Sequence, residues 1–140
     1  MEKSNFNKPE QAKIMYSFED MERRRGITPT DIDGFIEYGG ELFIFFEGKC
    51  AGVQMLAGQK SAYKSIVDII GKGGGLAFCF TFEHERLETV IVKDQFVKKV
   101  YSTLPNETDF RFTCGKFTML EAIEKCEKYY DKWKKNKLML

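Results

Sequence analysis

Apolar and polar side chains alternate over residues 31–38, with Ile32 and Ile36 on one side and Asp33, Phe35 and Glu37 on the other. A period of two is the mark of a half-buried β-strand. Gly39 and Gly40 follow as a turn signal, because glycine reaches backbone conformations closed to other residues. Residues 42–46 are an unbroken apolar and aromatic run, which suits a strand covered on both faces in the middle of a sheet. The period then changes. Over residues 57–70, Gln59, Ala62, Tyr63, Ile66, Val67 and Ile70 fall on one face of a helix, all apolar in body except for the glutamine at its head.

Later segments repeat these signals. After the loop of Gly73, Gly74 and Gly75, residues 76–82 read as a buried strand. Residues 88–92 and 96–101 read as two strands around Lys93, Asp94 and Gln95, and Phe110 to Thr113 as a short further one. Residues 119–134 form a closing helix with Leu120, Ile123, Cys126, Tyr130 and Trp133 on its inner stripe. Near the start, Asn7 as cap, Pro9 in the first turn and Glu10 three residues after the cap announce a helix. Its stripe is Ile14, Phe18 and Met21, and Gly26 stops it after Arg23, Arg24 and Arg25.

The register of the first hairpin decides where its charges go. Side chains two apart share a strand face, so Glu47 and Lys49 point the same way as Phe43 and Phe45. With a loop of Gly39 and Gly40 alone, Asp33 would face Phe46 and lie on the other side of the sheet from Glu47. A three-residue loop of Gly39, Gly40 and Glu41, or a bulge near Gly34, brings Asp33 opposite Glu47. One of these two devices is expected.

Two carboxylates and an ammonium on one patch suit phosphate chemistry. A hard cation such as Mg²⁺ takes oxygen ligands and keeps several waters, so Asp33, Glu47 and the backbone carbonyl of Gly48 make a shell for it. Lys49 beside them can position an attacking water or offset developing negative charge. Gln59, one turn into the following helix, reaches the lysine or a phosphate oxygen. The same groups also read as an ion-pair cluster at a strand end with a glutamine bonded to nearby backbone. Lys60, Lys64, Lys72 and the arginine triplet could line a phosphate track or be ordinary solvated surface.

Composition narrows the classes. The chain has 140 residues, 43% hydrophobic, with a formal net charge of +1, so one domain over residues 1–140 is expected and any nucleic-acid contact must come from local patches. No apolar stretch approaches membrane-spanning length, and Met1, Glu2, Lys3 and Ser4 lack a signal-peptide core. A cytoplasmic protein with no membrane partner is expected. Cys50, Cys79, Cys114 and Cys126 lack zinc-type spacing and read as reduced, mostly buried thiols. His84 reads as structural or exposed.

Taken together, Thr28-Pro29-Thr30-Asp31-Ile32-Asp33-Gly34, then Phe43-Ile44-Phe45-Phe46-Glu47-Gly48-Lys49, then Gly58-Gln59 opening a helix, resemble the PD-(D/E)XK nuclease superfamily. Within it the chain looks most like small single-domain proteins of phage and prophage genomes, over residues 5–92 at motif level. The resemblance implies an α/β (α+β), restriction-endonuclease-like fold. Its central mixed β-sheet is flanked by helices in the order αβββαβ, followed by a β-hairpin and a C-terminal helix. The strand at 76–82 would then lie parallel to the second strand through the helix crossover.

The resemblance further implies Mg²⁺-dependent hydrolysis of DNA phosphodiesters, with Mn²⁺ as substitute, in phage or prophage DNA processing or recombination. Asp33 and Glu47 become metal ligands together with the Gly48 carbonyl, Lys49 the catalytic lysine and Gln59 a supporting residue. Lys60 and Lys64 become substrate contacts. An N-terminal helix in such proteins often donates one more acid, for which Glu22 and Glu19 are the candidates here. Pro29 stands four residues before Asp33, which leaves Asp31 as a rival first acid, and glycine occupies the middle of the acid-x-lysine triplet. A homodimer would supply paired cuts, in the host cytoplasm if the protein is phage-encoded. Two other classes stay open: a catalytically inactive module of this fold that binds nucleic acid or protein, and a structural phage component.

Overall fold

Gly39 and Gly40 both adopt positive φ, 58° and 76°, and the Glu41 N–H closes the turn on the Tyr38 carbonyl at 3.1 Å. Such left-handed pairs reverse a chain with the twist that flanking strands require. In this computed structural model, which describes residues 17–21, 24–26, 32–86, 89–104 and 116–138, the turn joins β1 (Gly34–Tyr38) to β2 (Leu42–Cys50). Pairing begins at Tyr38 opposite Leu42 and ends at Gly34 opposite Phe46. Glu41 therefore belongs to the loop, and of the two devices expected the chain uses the three-residue loop.

The rest of the sheet grows from β2. Helix α1 (Ala57–Lys72) leads to β3 (Leu76–His84), which pairs parallel to β2 from Leu42 opposite Leu76 to Cys50 opposite His84. Strand β4 (Val97–Ser102) pairs antiparallel to β3, and the mixed sheet runs β1-β2-β3-β4. Helix α2 (Met119–Leu138) closes the chain.

Alternation divides the sheet into two cores. Leu42, Ile44, Leu76, Phe78 and Phe80 pack with Met119, Ala122 and Cys126 of α2. Phe45, Ala77 and Cys79 pack with Tyr63 and Val67 of α1. Each fully buried side chain of this size stabilises by about 1.5 to 3 kcal/mol, so both faces hold the strands against their helices.

Several expectations need correction. Two strands, rather than three, precede the crossover helix among the described residues. The expected strand at 88–92 is absent over its described part: Asp94 N–H bonds the Ile91 carbonyl and Gln95 N–H that of Val92, so a 3₁₀ turn (Val92–Asp94) satisfies the backbone locally. Only the second strand of that hairpin forms, as β4. On α2 the buried side chains are Met119, Ala122 and Cys126, with Ile123, Tyr130 and Trp133 packed against them as expected, while Leu120 is exposed.

The chain divides into two compact units, Met1–Asp31 and Ile32–Leu140. In the first, the expected helix does not extend over residues 17–21. Asp20 takes φ 63° and Met21 N–H bonds the Phe18 carbonyl at 3.1 Å. A short acidic side chain tolerates this left-handed conformation, which ends any helical ladder there, and Phe18 and Met21 are exposed instead of forming a buried stripe. Arg24–Gly26 is a 3₁₀ turn. Asn7, Pro9, Glu10, Ile14, Arg23, Glu88, the segment from Phe110 to Thr113 and Cys114 lie outside the described residues. Among the described residues, no helix is long and apolar enough to cross a membrane.

Candidate metal and phosphate site

Glu47 lies on β2 at a position that faces α1, and only 2% of it is exposed. A carboxylate taken out of water is costly unless paired and hydrogen-bonded. Three side chains meet that demand. Tyr63 OH donates to Oε2 at 2.6 Å, Gln59 Nε2 donates to Oε1 at 3.2 Å, and Lys49 Nζ lies 3.3 Å from Oε1. Gln59 and Tyr63 sit four apart on α1, one turn above the other on the same face, while Lys49 shares the face of Glu47 by strand alternation.

Asp33 comes to the same end of the sheet. The odd-numbered side chains of β1 lie over those of β2, as the rings of Phe35 and Phe45, 4.9 Å apart, make plain. Strand β1 stops opposite Phe46, so Gly48 has no strand partner from β1, and Asp33 Oδ2 accepts its N–H at 2.8 Å. Asp33 is exposed where Glu47 is buried. Gly48 itself is explained by packing: a Cβ there would lie 2.5 Å from the Phe82 ring, so glycine lets the two parallel strands and that ring close up beneath the site.

Electrostatics follow burial. Desolvation, with the hydrogen bond to Glu47 and the charges of Glu47 and Asp33 adding to it, raises the Tyr63 phenol far above its ordinary value. Burial and the nearby Glu47 charge push the Cys79 thiol up to about 12. It stays protonated near neutral pH and is no nucleophile. Cys50, Cys79 and Cys126 are free thiols.

No protein-family model, curated protein or solved structure matches the chain.

The predicted residues therefore divide into three groups. Asp33, Glu47, Gly48, Lys49 and Gln59 converge. Lys60 and Lys64 line a cleft of about 440 Å³ that also reaches Lys49. Glu22 and Asp31 lie outside the described residues, and Glu19, in the first unit, is exposed, its N–H bonded to the Ser17 hydroxyl. The helical pattern marks Tyr63 only as part of an apolar stripe. Its hydroxyl was the available signal, since a buried tyrosine seeks a partner for that group. Lys98 and Lys99 of β4 also line the cleft, and no local pattern tied them to it.

The donors gathered here are oxygens, the type that a hard cation takes. Gln59 Oε1 is buried without a hydrogen-bond partner among the described residues, an oxygen left over on the side chain whose Nε2 bonds Glu47. No set of three His, Cys, Asp or Glu side chains gathers among the described residues, but Mg²⁺ is commonly held by one or two carboxylates, with waters and substrate oxygens completing its shell.

Proposed function

We propose that the protein is a metal-dependent nuclease of restriction-endonuclease-like type that hydrolyses DNA phosphodiester bonds. The observation that carries this reading is the buried Glu47, held by Lys49, Gln59 and Tyr63 beside the Asp33–Gly48 contact. Such a costly arrangement contributes little to stability and makes sense where a carboxylate must stand ready and oriented.

Asp33, Glu47 and the Gly48 carbonyl would hold Mg²⁺, or Mn²⁺ in its place. When bound, the ion supplies Lewis-acid polarisation of the scissile phosphate and lowers the pKa of an attacking water. Lys49 sets its ammonium beside the same carboxylate, where it orients that water or offsets charge on the phosphate. Gln59 and Tyr63 fix the Glu47 carboxylate by one hydrogen bond each. Lys60 and Lys64 meet phosphates flanking the reacting one. A second copy of the chain would allow paired cuts.

The test is cleavage of supercoiled, linear, branched and single-stranded DNA with Mg²⁺ and with Mn²⁺, using Glu47→Gln and Lys49→Ala as controls. Metal-dependent cleavage that falls on the order of 10² to 10³-fold or more in both variants supports the proposal. Equal activity in all three proteins assigns the cleavage to a contaminant. One observation favours a silent nucleic-acid or protein-binding module of the same fold: both Glu47 oxygens already have partners within the chain. In that case no variant at Asp33 or Glu47 alters metal affinity.

A further inference from the structure

The cleft beside Glu47 is built from two kinds of surface. Five lysines line it: Lys49 from β2, Lys60 and Lys64 from α1, Lys98 and Lys99 from β4. Glu83 is the one acid among its lining residues, and it pairs with Lys98. Apolar residues share the lining, among them Val53, Met55 and Tyr101. With a chain charge of only +1, this is a local concentration of positive charge that overall composition does not require.

Tyr101 is placed with care. Its hydroxyl donates to Asp68 at 2.9 Å, and Lys64 Nζ stands 5.9 Å from the ring centroid. The ring is therefore oriented from α1 while 37% of the residue stays exposed. An oriented, open aromatic ring among lysines suits a ligand that carries both a flat π-face and repeating phosphates.

We infer that this cleft binds an unpaired polynucleotide strand, its phosphates on Lys60, Lys64 and Lys99 and a base stacked on Tyr101. The inference rests on the proposed nuclease reading for the direction in which the strand would lead, toward Lys49 and Glu47. It adds the substrate's form. Bases within a duplex cover one another's faces, so only an unpaired base can stack on a tyrosine.

Fluorescence anisotropy of a labelled oligonucleotide, single-stranded or annealed, in EDTA reads binding without cleavage. The single strand is expected to bind at least tenfold tighter than its duplex. Lys64→Gln with Lys99→Gln should weaken single-strand binding by roughly tenfold at moderate salt, and flatten the dependence of log affinity on log salt by about 0.7 per lysine removed. Tyr101→Leu should weaken it by about tenfold, whereas Tyr101→Phe, which keeps the ring and loses only the bond to Asp68, should bind like wild type.

Equal affinity for single strand and duplex overturns the inference, as does wild-type binding by Tyr101→Leu in a protein that melts normally. Poly-glutamate competing as well as the oligonucleotide would mean a site for any polyanion and would overturn it too. The two readings fail separately. Binding as described with no Glu47-dependent cleavage leaves the cleft standing and removes the nuclease. Glu47-dependent cleavage untouched by the Lys99 and Tyr101 variants does the reverse.

Discussion

The two faces of the sheet are built from the same strands and put to different uses. Toward α2 the buried side chains are Leu42, Ile44, Phe78, Phe80, Met119, Ala122 and Cys126, with no charged group fully buried among them. Toward α1 a smaller core of Phe45, Tyr63, Val67, Ala77 and Cys79 abuts a buried carboxylate, a partly buried lysine and a glutamine with one orphaned oxygen. Apolar burial stabilises at little risk, whereas a buried ionic cluster roughly breaks even at best. One face thus supplies the stability against which the other keeps its charges in place.

Substitutions on each face should separate these roles. Phe80→Ala, on the α2 face, should cost about 3 to 5 kcal/mol in urea unfolding. A loss below about 1 kcal/mol would mean that this face does not carry the fold. Gly48→Ala forces a methyl against the Phe82 ring and should cost about 1 to 3 kcal/mol. It also disturbs Asp33 and Glu47 on either side, so cleavage should fall further than stability implies. Tyr63→Phe removes one hydrogen bond to a charged group and should cost about 1.5 to 3 kcal/mol, leaving Glu47 in place but less firmly oriented. Glu47→Gln keeps the shape but removes the charge that Lys49, Gln59 and Tyr63 meet, and should cost about 1 to 3 kcal/mol while abolishing cleavage. If it instead unfolds the protein, the α1 face is structural and the contrast collapses.

How much of this was legible in sequence depended on the range of the interactions involved. The β1–β2 hairpin and the shared face of Glu47 and Lys49 follow from local alternation and glycine chemistry, and so does the stripe of α1, whereas the choice between a three-residue loop and a bulge near Gly34 came only with the strand register. The strand expected before Lys93 and the helix expected across Phe18 and Met21 had the right residue types, but a turn at Val92–Asp94 and a left-handed Asp20 satisfied the backbone in other ways. Propensity cannot foresee that. Tyr63 as a partner of Glu47 and Lys99 as a wall of the cleft come from tertiary neighbours, and neither is visible in any window of the sequence. Glycine at position 48, odd as the middle of its triplet, became intelligible only with the Phe82 ring packed beneath it.

Manganese binding, followed by electron paramagnetic resonance of the free ion during titration into metal-free protein, tests the central claim most directly. Asp33 and Glu47 should together hold about one ion per chain, with affinity falling at least tenfold in Asp33→Asn and in Glu47→Gln while both variants stay folded. Manganese that fails to bind the wild-type chain, or binds both variants equally well, would contradict the account.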